Sequence, residues 1–341
     1  MPNNSPAAAL MHAWMQRSWL AWLLSPLSIV FGMVLTLRIF LYRHGWLKQY
    51  KLPVPVIVVG NIFVGGTGKT PLAVWLLKQL KLAGYRPGVI SRGYGGKQDA
   101  ARIVTKHALA EEVGDEPILI AQQSGCPIVV GRNRVQAGLT LLSTHPEVNI
   151  IVSDDGLQHL ALARNVEIVL FDARGTGNGW LLPAGPLREP VSRARDLTIV
   201  NLNDGEQISA DLPSDTVRMQ LHGNHAVPLM QPNGIRPLAA FDPALKIVAA
   251  AGIGNPERFF AMLRGQGLHF SSLPLPDHFD FAGNPFKNLT ADLILITEKD
   301  AVKCRQSQEI AADARIWVVP VEAELDSGAF LRILNRLSNQ A

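Results

Sequence analysis

Strands alternating with helices over residues 54–203 predict an α/β fold: a P-loop NTPase-like, mostly parallel sheet, followed by a second, smaller α/β unit and preceded by an apolar helix. Three observations carry this. Val56-Ile-Val-Val-Gly60 is an apolar, β-branched run that passes directly into Asn61-Ile-Phe-Val-Gly65-Gly-Thr-Gly-Lys69-Thr70 and then into a helical stretch. Short apolar runs recur between helical stretches up to Val200, and again from Lys246. Ser18 to Leu37 carries no charge.

That uncharged stretch is twenty residues, long enough to span a bilayer as a helix, although Ser25, Pro26, Ser28 and Gly32 make it an imperfect one. No small-x-small cleavage site follows, so a cleaved signal peptide is not expected. Arg38, Arg43, Lys48 and Lys51 crowd its C-terminal flank against Arg17 before it. A spanning helix would then leave the body in the cytoplasm. A helix lying in the interface would set Trp14, Trp19, Trp22 and Trp46 among the headgroups, and a soluble core helix is the third reading. Residues 1–45 are expected as this membrane-associated unit.

A core over residues 46–205 follows. Expected strands are Val56–Gly60, Gly88–Ser91, Pro127–Val130, Asn149–Ser153, Glu167–Phe171 and Leu197–Val200. Expected helices are Pro71–Leu82, Glu116–Ser124 and Asn133–Thr144. Residues 206–232, polar and holding Pro213 and Pro228, read as a linker. Residues 233–341 read as the smaller α/β unit, with strands Lys246–Ala251, His269–Leu273, Leu293–Thr297 and Ile316–Val319 and helices Glu257–Gln266 and Phe330–Leu337.

Composition excludes some classes. Of 341 residues 48% are hydrophobic, enough for a sizeable core in one or two domains. Cys126 and Cys304 show no paired spacing, so neither a disulfide framework nor a structural zinc is implied. The net charge of +4 comes from dispersed Lys and Arg, not from the stripe that nucleic acid requires. An anionic membrane surface or a phosphorylated substrate fits it, as does an ordinary basic enzyme surface.

The strand–glycine loop–helix run has the mechanics of a P-loop. Gly65, Gly66, Thr67 and Gly68 let backbone N–H groups curl around phosphate, and the helix N-terminus adds a positive dipole end. Lys69 reaches the β- and γ-phosphates, and Thr70 offers its hydroxyl to Mg²⁺. The usual pattern wants glycine where Phe63 stands. A nucleoside triphosphate is the expected ligand. Guanine-reading Asn-Lys-x-Asp is matched neither by Asn201-Leu-Asn-Asp204, which lacks the lysine, nor by Thr297-Glu-Lys-Asp300, which misplaces it. ATP is favoured.

Asn149-Ile-Ile-Val-Ser-Asp154-Asp155 is a strand ending in carboxylates, the form of a magnesium-holding element; the competing reading is two solvated aspartates. Asp115, in Gly114-Asp-Glu-Pro117, stands at an expected helix N-cap, and capping alone accounts for it. His278 lies beside Asp277 in a Pro-bounded loop and reads equally as functional or structural. Spacing does not join Asp115 to His278.

Together these segments resemble the tetraacyldisaccharide 4′-kinase (lipid A 4′-kinase) family of Gram-negative bacteria. The resemblance is carried in order by Val59–Pro71, Ile90-Ser-Arg-Gly-Tyr-Gly-Gly96, Val113–Pro117 and Asp154-Asp-Gly-Leu-Gln-His159. Leu182-Pro-Ala-Gly-Pro-Leu-Arg-Glu189, Ala251–Pro256, Pro276–Phe279 and Thr297–Asp300 complete it. Phe63 is normal in that family. The resemblance implies transfer of the ATP γ-phosphoryl group to the 4′-hydroxyl of an acylated glucosamine disaccharide 1-phosphate, at the cytoplasmic face of the inner membrane. It implies Lys69 and Thr70 on phosphate and Mg²⁺, and Asp115 as general base assisted by His278. Asp154, Asp155 and Glu189 would serve the metal or substrate, and Arg92, Tyr94, Gln158, His159 and Arg188 would line the site. Many relatives carry a second histidine after the first; here Phe279 follows His278. The alternative from the residues alone is a membrane-associated P-loop ATPase or GTPase acting as a switch or metallochaperone.

Overall fold

The structure, a computed structural model, describes residues 6–93, 100–231, 234–326 and 328–338. Two helices open the chain, α1 (Pro6–Met15) and α2 (Trp19–Arg43). Then come β1 (Val56–Gly60), α3 (Lys69–Leu82), β2 (Pro87–Ser91), β3 (Arg102–Ile103), α4 (Ala110–Val113), α5 (Asp115–Ser124), β4 (Ile128–Val130), α6 (Arg134–Thr144), β5 (Ile150–Asp154), β6 (Val166–Asp172), β7 (Leu197–Asn201) and β8 (Val217–His222). The rest runs β9 (His225–Pro228), β10 (Arg236–Pro237), β11 (Ile247–Ala251), α7 (Pro256–Gly265), β12 (Ser271–Pro274), β13 (Leu293–Thr297), α8 (Glu298–Cys304), α9 (Gln308–Ala311), β14 (Ile316–Val319), β15 (Glu322–Leu325) and α10 (Gly328–Ser338).

Two sheets result, in the strand orders β15-β8-β7-β6-β1-β5-β2-β4-β3 and β10-β9-β14-β13-β11-β12. The larger is parallel except at its edges, where β3 opposes β4 and β15 opposes β8. Every residue of β1, β2 and β5 is buried, as continuous apolar strands covered on both faces should be. Alternation along β1 sends Ile57 and Val59 into the core beneath α3, and Val56 and Val58 into a second core on the opposite face.

Pairing between distant segments departs from the linear reading. The expected linker 206–232 holds β8, in the large sheet, and β9, in the small one. Residues 322–338, expected in the unit 233–341, return to the large sheet: β15 pairs with β8, and Ala329, Ile333 and Leu337 of α10 are buried in its core. The two crossings between sheets run side by side, since a Cβ on Gly223 would stand 2.9 Å from the Pro320 carbonyl oxygen.

Ser18 caps α2, its hydroxyl accepting from the Ala21 amide at 3.3 Å. Pro26 cannot donate to the Trp22 carbonyl, and the Ser25 hydroxyl does so instead at 2.8 Å. A proline is thereby carried within a 25-residue helix. Among the described residues α2 is the one helix long and apolar enough to cross a membrane, with mean hydropathy 2.1. One stripe, including Ala21, Leu24, Ser28 and Leu35, turns inward, while Trp19, Trp22, Leu23, Leu27, Val34 and Leu37 are exposed. The inward stripe leans on the loop after β6. Ser28 donates to the Leu181 carbonyl at 2.7 Å, the Trp14 indole to the Pro183 carbonyl at 2.9 Å, and Trp22 meets Trp180 edge-on at 4.7 Å.

Candidate functional site

β1 ends at Gly60, and α3 begins at Lys69, two residues earlier than expected. The loop between them lies at the carboxyl end of the central strand, where open parallel sheets bind ligands. Gly65 and Gly68 have φ of 106° and 96°, and a Cβ on Gly68 would fall 2.3 Å from Asn201 Nδ2, so both conformation and space require glycine. No side chain caps α3, which leaves its first amides open to an anion. The loop is clamped from the neighbouring strand ends. Asn201, closing β7, donates to the Thr67 carbonyl at 2.9 Å. Arg174 binds Asp172, closing β6, at 2.7 Å and donates to the Gly66 carbonyl at 3.1 Å. Lys69 Nζ is 3.2 Å from Asn61 Oδ1 and 3.8 Å from Asp155 Oδ1.

Both segments that resembled guanine readers have other duties. Asn201 holds the P-loop, while Thr297 caps α8 and Asp300 accepts from the Gly252 amide at 2.9 Å.

Asp154 stands level with Val59 in the adjoining strand β5, so its carboxylate is delivered beside the P-loop. Oδ2 accepts from the Ser91 hydroxyl at 3.2 Å, whereas Oδ1 is buried without a partner. Burial, with the nearby charges of Glu116 and Asp155, pushes its carboxyl up to about 7 against the pull of Lys69 and Arg134. A buried oxygen without a partner, on an acid ill at ease as an anion, fits a divalent cation. Asp155 has φ of 48°, a conformation unusual for a non-glycine residue. Burial raises its carboxyl, but Lys69 and Arg188 outweigh that and hold it below the usual range. Glu189 accepts from Gln158 at 2.9 Å and pairs with Arg193. Among the described residues no three His, Cys, Asp or Glu side chains gather as a metal cage.

Across the cleft the small-sheet unit brings His278, Lys299 and Lys303 to α5, which packs on the large sheet. Asp115 is the first residue of α5, not its cap; Gly114, with φ of 89°, holds that position. Asp115 is 3% exposed. Its Oδ1 accepts from the Glu116 amide at 2.9 Å, and its Oδ2 lies 3.2 Å from His278 Nδ1 and 3.0 Å from Lys303 Nζ. Burial raises this carboxyl, yet the His278 hydrogen bond and the charges of Lys299 and Lys303 together hold it well below the usual carboxylate range. Lys299 pairs with Glu116 at 3.0 Å and Asp277 at 3.4 Å. Arg258 of α7 donates to the Asn201 carbonyl at 2.6 Å. Asp115 and His278, 163 positions apart, are joined by their hydrogen bond.

A cavity of about 170 Å³ opens between the units, from Gly66–Pro71 to Ile253, Phe259, Met262 and Lys299, with Leu119, Leu221 and Val319 on its apolar wall. Arg188 binds the Asn61 carbonyl at 2.6 Å, the Asn61 side chain, and Asp155 at 3.3 Å. Gln158 and His159 follow β5, and burial with the charges of Arg134, Arg164 and Arg38 pushes the His159 imidazole down to about 4, so it is neutral near pH 7. Arg92 is exposed just beyond β2, and Tyr94 lies outside the described residues. Sequence reasoning assigned no role to Asn61, Glu116, Arg174, Arg258, Lys299 or Lys303. Asn61, Glu116 and Lys299 lie within the segments that carry the family resemblance, whereas Arg174, Arg258 and Lys303 lie outside them.

A P-loop on the central strand of a parallel sheet, with a buried carboxylate on the next strand, defines a P-loop nucleotide-binding protein, and the opposed acid–imidazole pair suits a phosphotransferase. The family model described as tetraacyldisaccharide-1-P 4′-kinase (LpxK) matches residues 20–339, and the chain belongs to that family of enzymes. It is 56% identical over 337 residues to a tetraacyldisaccharide 4′-kinase of Herminiimonas arsenicoxydans, covering 95% of this chain and 94% of the relative. A protein of the same description from Janthinobacterium sp. (strain Marseille) is 56% identical over 337 residues, covering 97% and 96%. A crystal structure of LpxK from Aquifex aeolicus, described as an "apo" form in complex with ATP, superposes with TM-score 0.76 at 29% identity, covering 93% of this chain and 99% of that one.

Proposed function

We infer that this chain is an ATP-dependent kinase of lipid A biosynthesis. It transfers the γ-phosphoryl group to the 4′-hydroxyl of a tetraacylated glucosamine disaccharide 1-phosphate, at the cytoplasmic face of the inner membrane. The observation that carries the reading is the Asp115–His278 pair, 3.2 Å apart, formed across the cleft that the P-loop lines.

The nucleotide base enters the apolar cavity, and its phosphates lie on the amides of Gly65–Thr70. Lys69 exchanges Asn61 and Asp155 for the γ-phosphate, where negative charge builds during transfer. Thr70, Asp154 and Asp155 would hold Mg²⁺, which neutralises charge on the β- and γ-phosphates. The acceptor hydroxyl oxygen forms the new bond to phosphorus, the bond to the β-phosphate oxygen breaks, and ADP leaves. The hydroxyl proton passes to Asp115, assisted by His278, whose ring can relay it. A base so placed contributes roughly 10²–10⁴-fold. Arg188, Gln158, His159 and Arg92 face the sugar, with Glu189 fixing Gln158. The exposed stripe of α2 meets the acyl chains and the bilayer. The test is incubation with ATP, Mg²⁺ and the lipid acceptor, the product phosphate being located by mass spectrometry. Absence of a 4′-phosphate on the acceptor would overturn the reading.

A further inference from the structure

Lys303 has no part in the chemistry above, yet it touches Asp115 and the backbone carbonyl of the residue that follows His278. It lies one turn beyond Lys299 on α8, and its side chain is 17% exposed. Its ammonium nitrogen is 3.0 Å from Asp115 Oδ2 and 3.0 Å from the Phe279 carbonyl oxygen. The first partner belongs to α5, packed on the large sheet; the second is the residue after His278. We propose that Lys303 is a positioning residue: it ties the Asp115 carboxylate to the backbone that carries His278, so the pair assembles only when the two units are closed on each other.

Geometry supports this at each step. His278 has φ of 59°, a backbone state a histidine does not hold without support from its surroundings. Its amide donates to the Gly252 carbonyl at 3.2 Å, which fixes the loop on the β11 side. The Lys303–Phe279 bond fixes the same loop from α8. Asp115 has one oxygen on the Glu116 amide, and its other oxygen is shared by His278 and Lys303. An ammonium suits this role because it is a compact charge with three donors, so one group can serve a carboxylate and a carbonyl together. Lys299, on the same face, has its charge engaged by Glu116 and Asp277 and does not substitute.

The proposal rests on the assignment of Asp115 and His278 to proton removal, and the test separates the two. Lys303→Met, Lys303→Gln and Lys303→Arg are compared with Asp115→Ala, His278→Ala and the Lys303→Met/His278→Ala double variant. Turnover from ATP to the lipid acceptor is measured in detergent per folded molecule, with ATP affinity measured separately. Lys303→Met is expected to lower kcat by about tenfold or more while ATP affinity stays within about twofold, because positioning acts on the transition state. Lys303→Gln should show the same loss and carries the test where the methionine variant does not fold. Lys303→Arg should recover most of the activity. With His278 removed, Lys303→Met should cost no more than about twofold, since the lysine acts through the pair. Unchanged turnover per folded Lys303→Met or Lys303→Gln molecule overturns the proposal, as does an undiminished loss in the His278→Ala background. Impaired Asp115→Ala and His278→Ala beside an active Lys303→Met overturn the lysine role alone. Full activity in Asp115→Ala and His278→Ala overturns the base assignment beneath it.

Discussion

Gly254 lies backbone to backbone against Gly66: a Cβ added to Gly254 would stand 2.7 Å from the Gly66 amide nitrogen. One unit therefore seats its first loop after β11 directly on the phosphate loop of the other. Gly254→Ala is expected to prevent full seating and to lower kcat by about tenfold or more, since small displacements of reacting groups are costly. The fold should survive, because the clash lies between units and not within either core. Steady-state kinetics with a thermal melt checks this; wild-type kcat would mean that closure does not need the contact.

Lys69→Ala should reduce kcat at saturating ATP by about 100-fold or more, the usual scale for removing a charged donor from a transition state. Asp155 keeps Arg188 at 3.3 Å in the variant, so the neighbouring loop is not expected to unfold. Turnover close to wild type would remove Lys69 from the phosphate site.

Asp115→Ala and His278→Ala should each lower kcat by about 100-fold or more with ATP affinity largely kept, because a base acts in the transition state. If they work as one unit, the double variant is scarcely worse than the worse single one. Multiplicative losses in that variant would show two independent roles.

Asp154 predicts a trade between stability and function. Its folded carboxyl is raised to about 7, above the unfolded value near 4, so folding takes up a proton between those limits. Its contribution to stability is therefore lost as pH rises through that window. Asp154→Asn should melt higher than wild type in metal-free buffer, with the gap wider at pH 8 than at pH 5, while magnesium-dependent turnover collapses. Paired melting curves at the two pH values decide it; a gap that narrows with rising pH contradicts the assignment.

Local pattern made much of this legible. β1, the glycine loop and α3 follow one another within 27 residues, so periodicity and turn chemistry suffice, and Asp154 is placed by its own strand. The rest depends on pairing between distant residues. Nothing in Glu322–Leu325 announces that its partner is β8, and nothing near Asp115 points to a loop 163 positions away. Glu189 drew its metal or substrate role from the resemblance alone, and its ion pair with Arg193, four residues on, depends on how the loop after β6 folds. Lys299 and Lys303 share one face of α8, but Glu116 and Asp115, with which they pair, lie on α5, packed against the other sheet.

Removing residues 1–43 tests α2 as anchor and brace at once. Its exposed Trp, Leu and Val side chains form an apolar surface of the length a bilayer accepts, so the truncated chain should move largely to the soluble fraction. The catalytic strands lie outside the deleted segment, so a folded body should remain. Activity in detergent should nevertheless fall by about tenfold, a loss of the size caused by a slightly misplaced active-site group. The cause is mechanical: Trp14 and Ser28 support the 181–183 turn, and the same loop continues to Arg188, which holds Asn61 and Asp155. A Ser28→Ala variant isolates the brace, because it removes the bond to Leu181 and leaves the apolar surface intact. It should stay on membranes and lose a smaller part of the turnover. A truncated chain that remains wholly membrane-bound would place the anchor on another surface. One that aggregates on expression, with no folded fraction, would make α2 part of the core and not a membrane element.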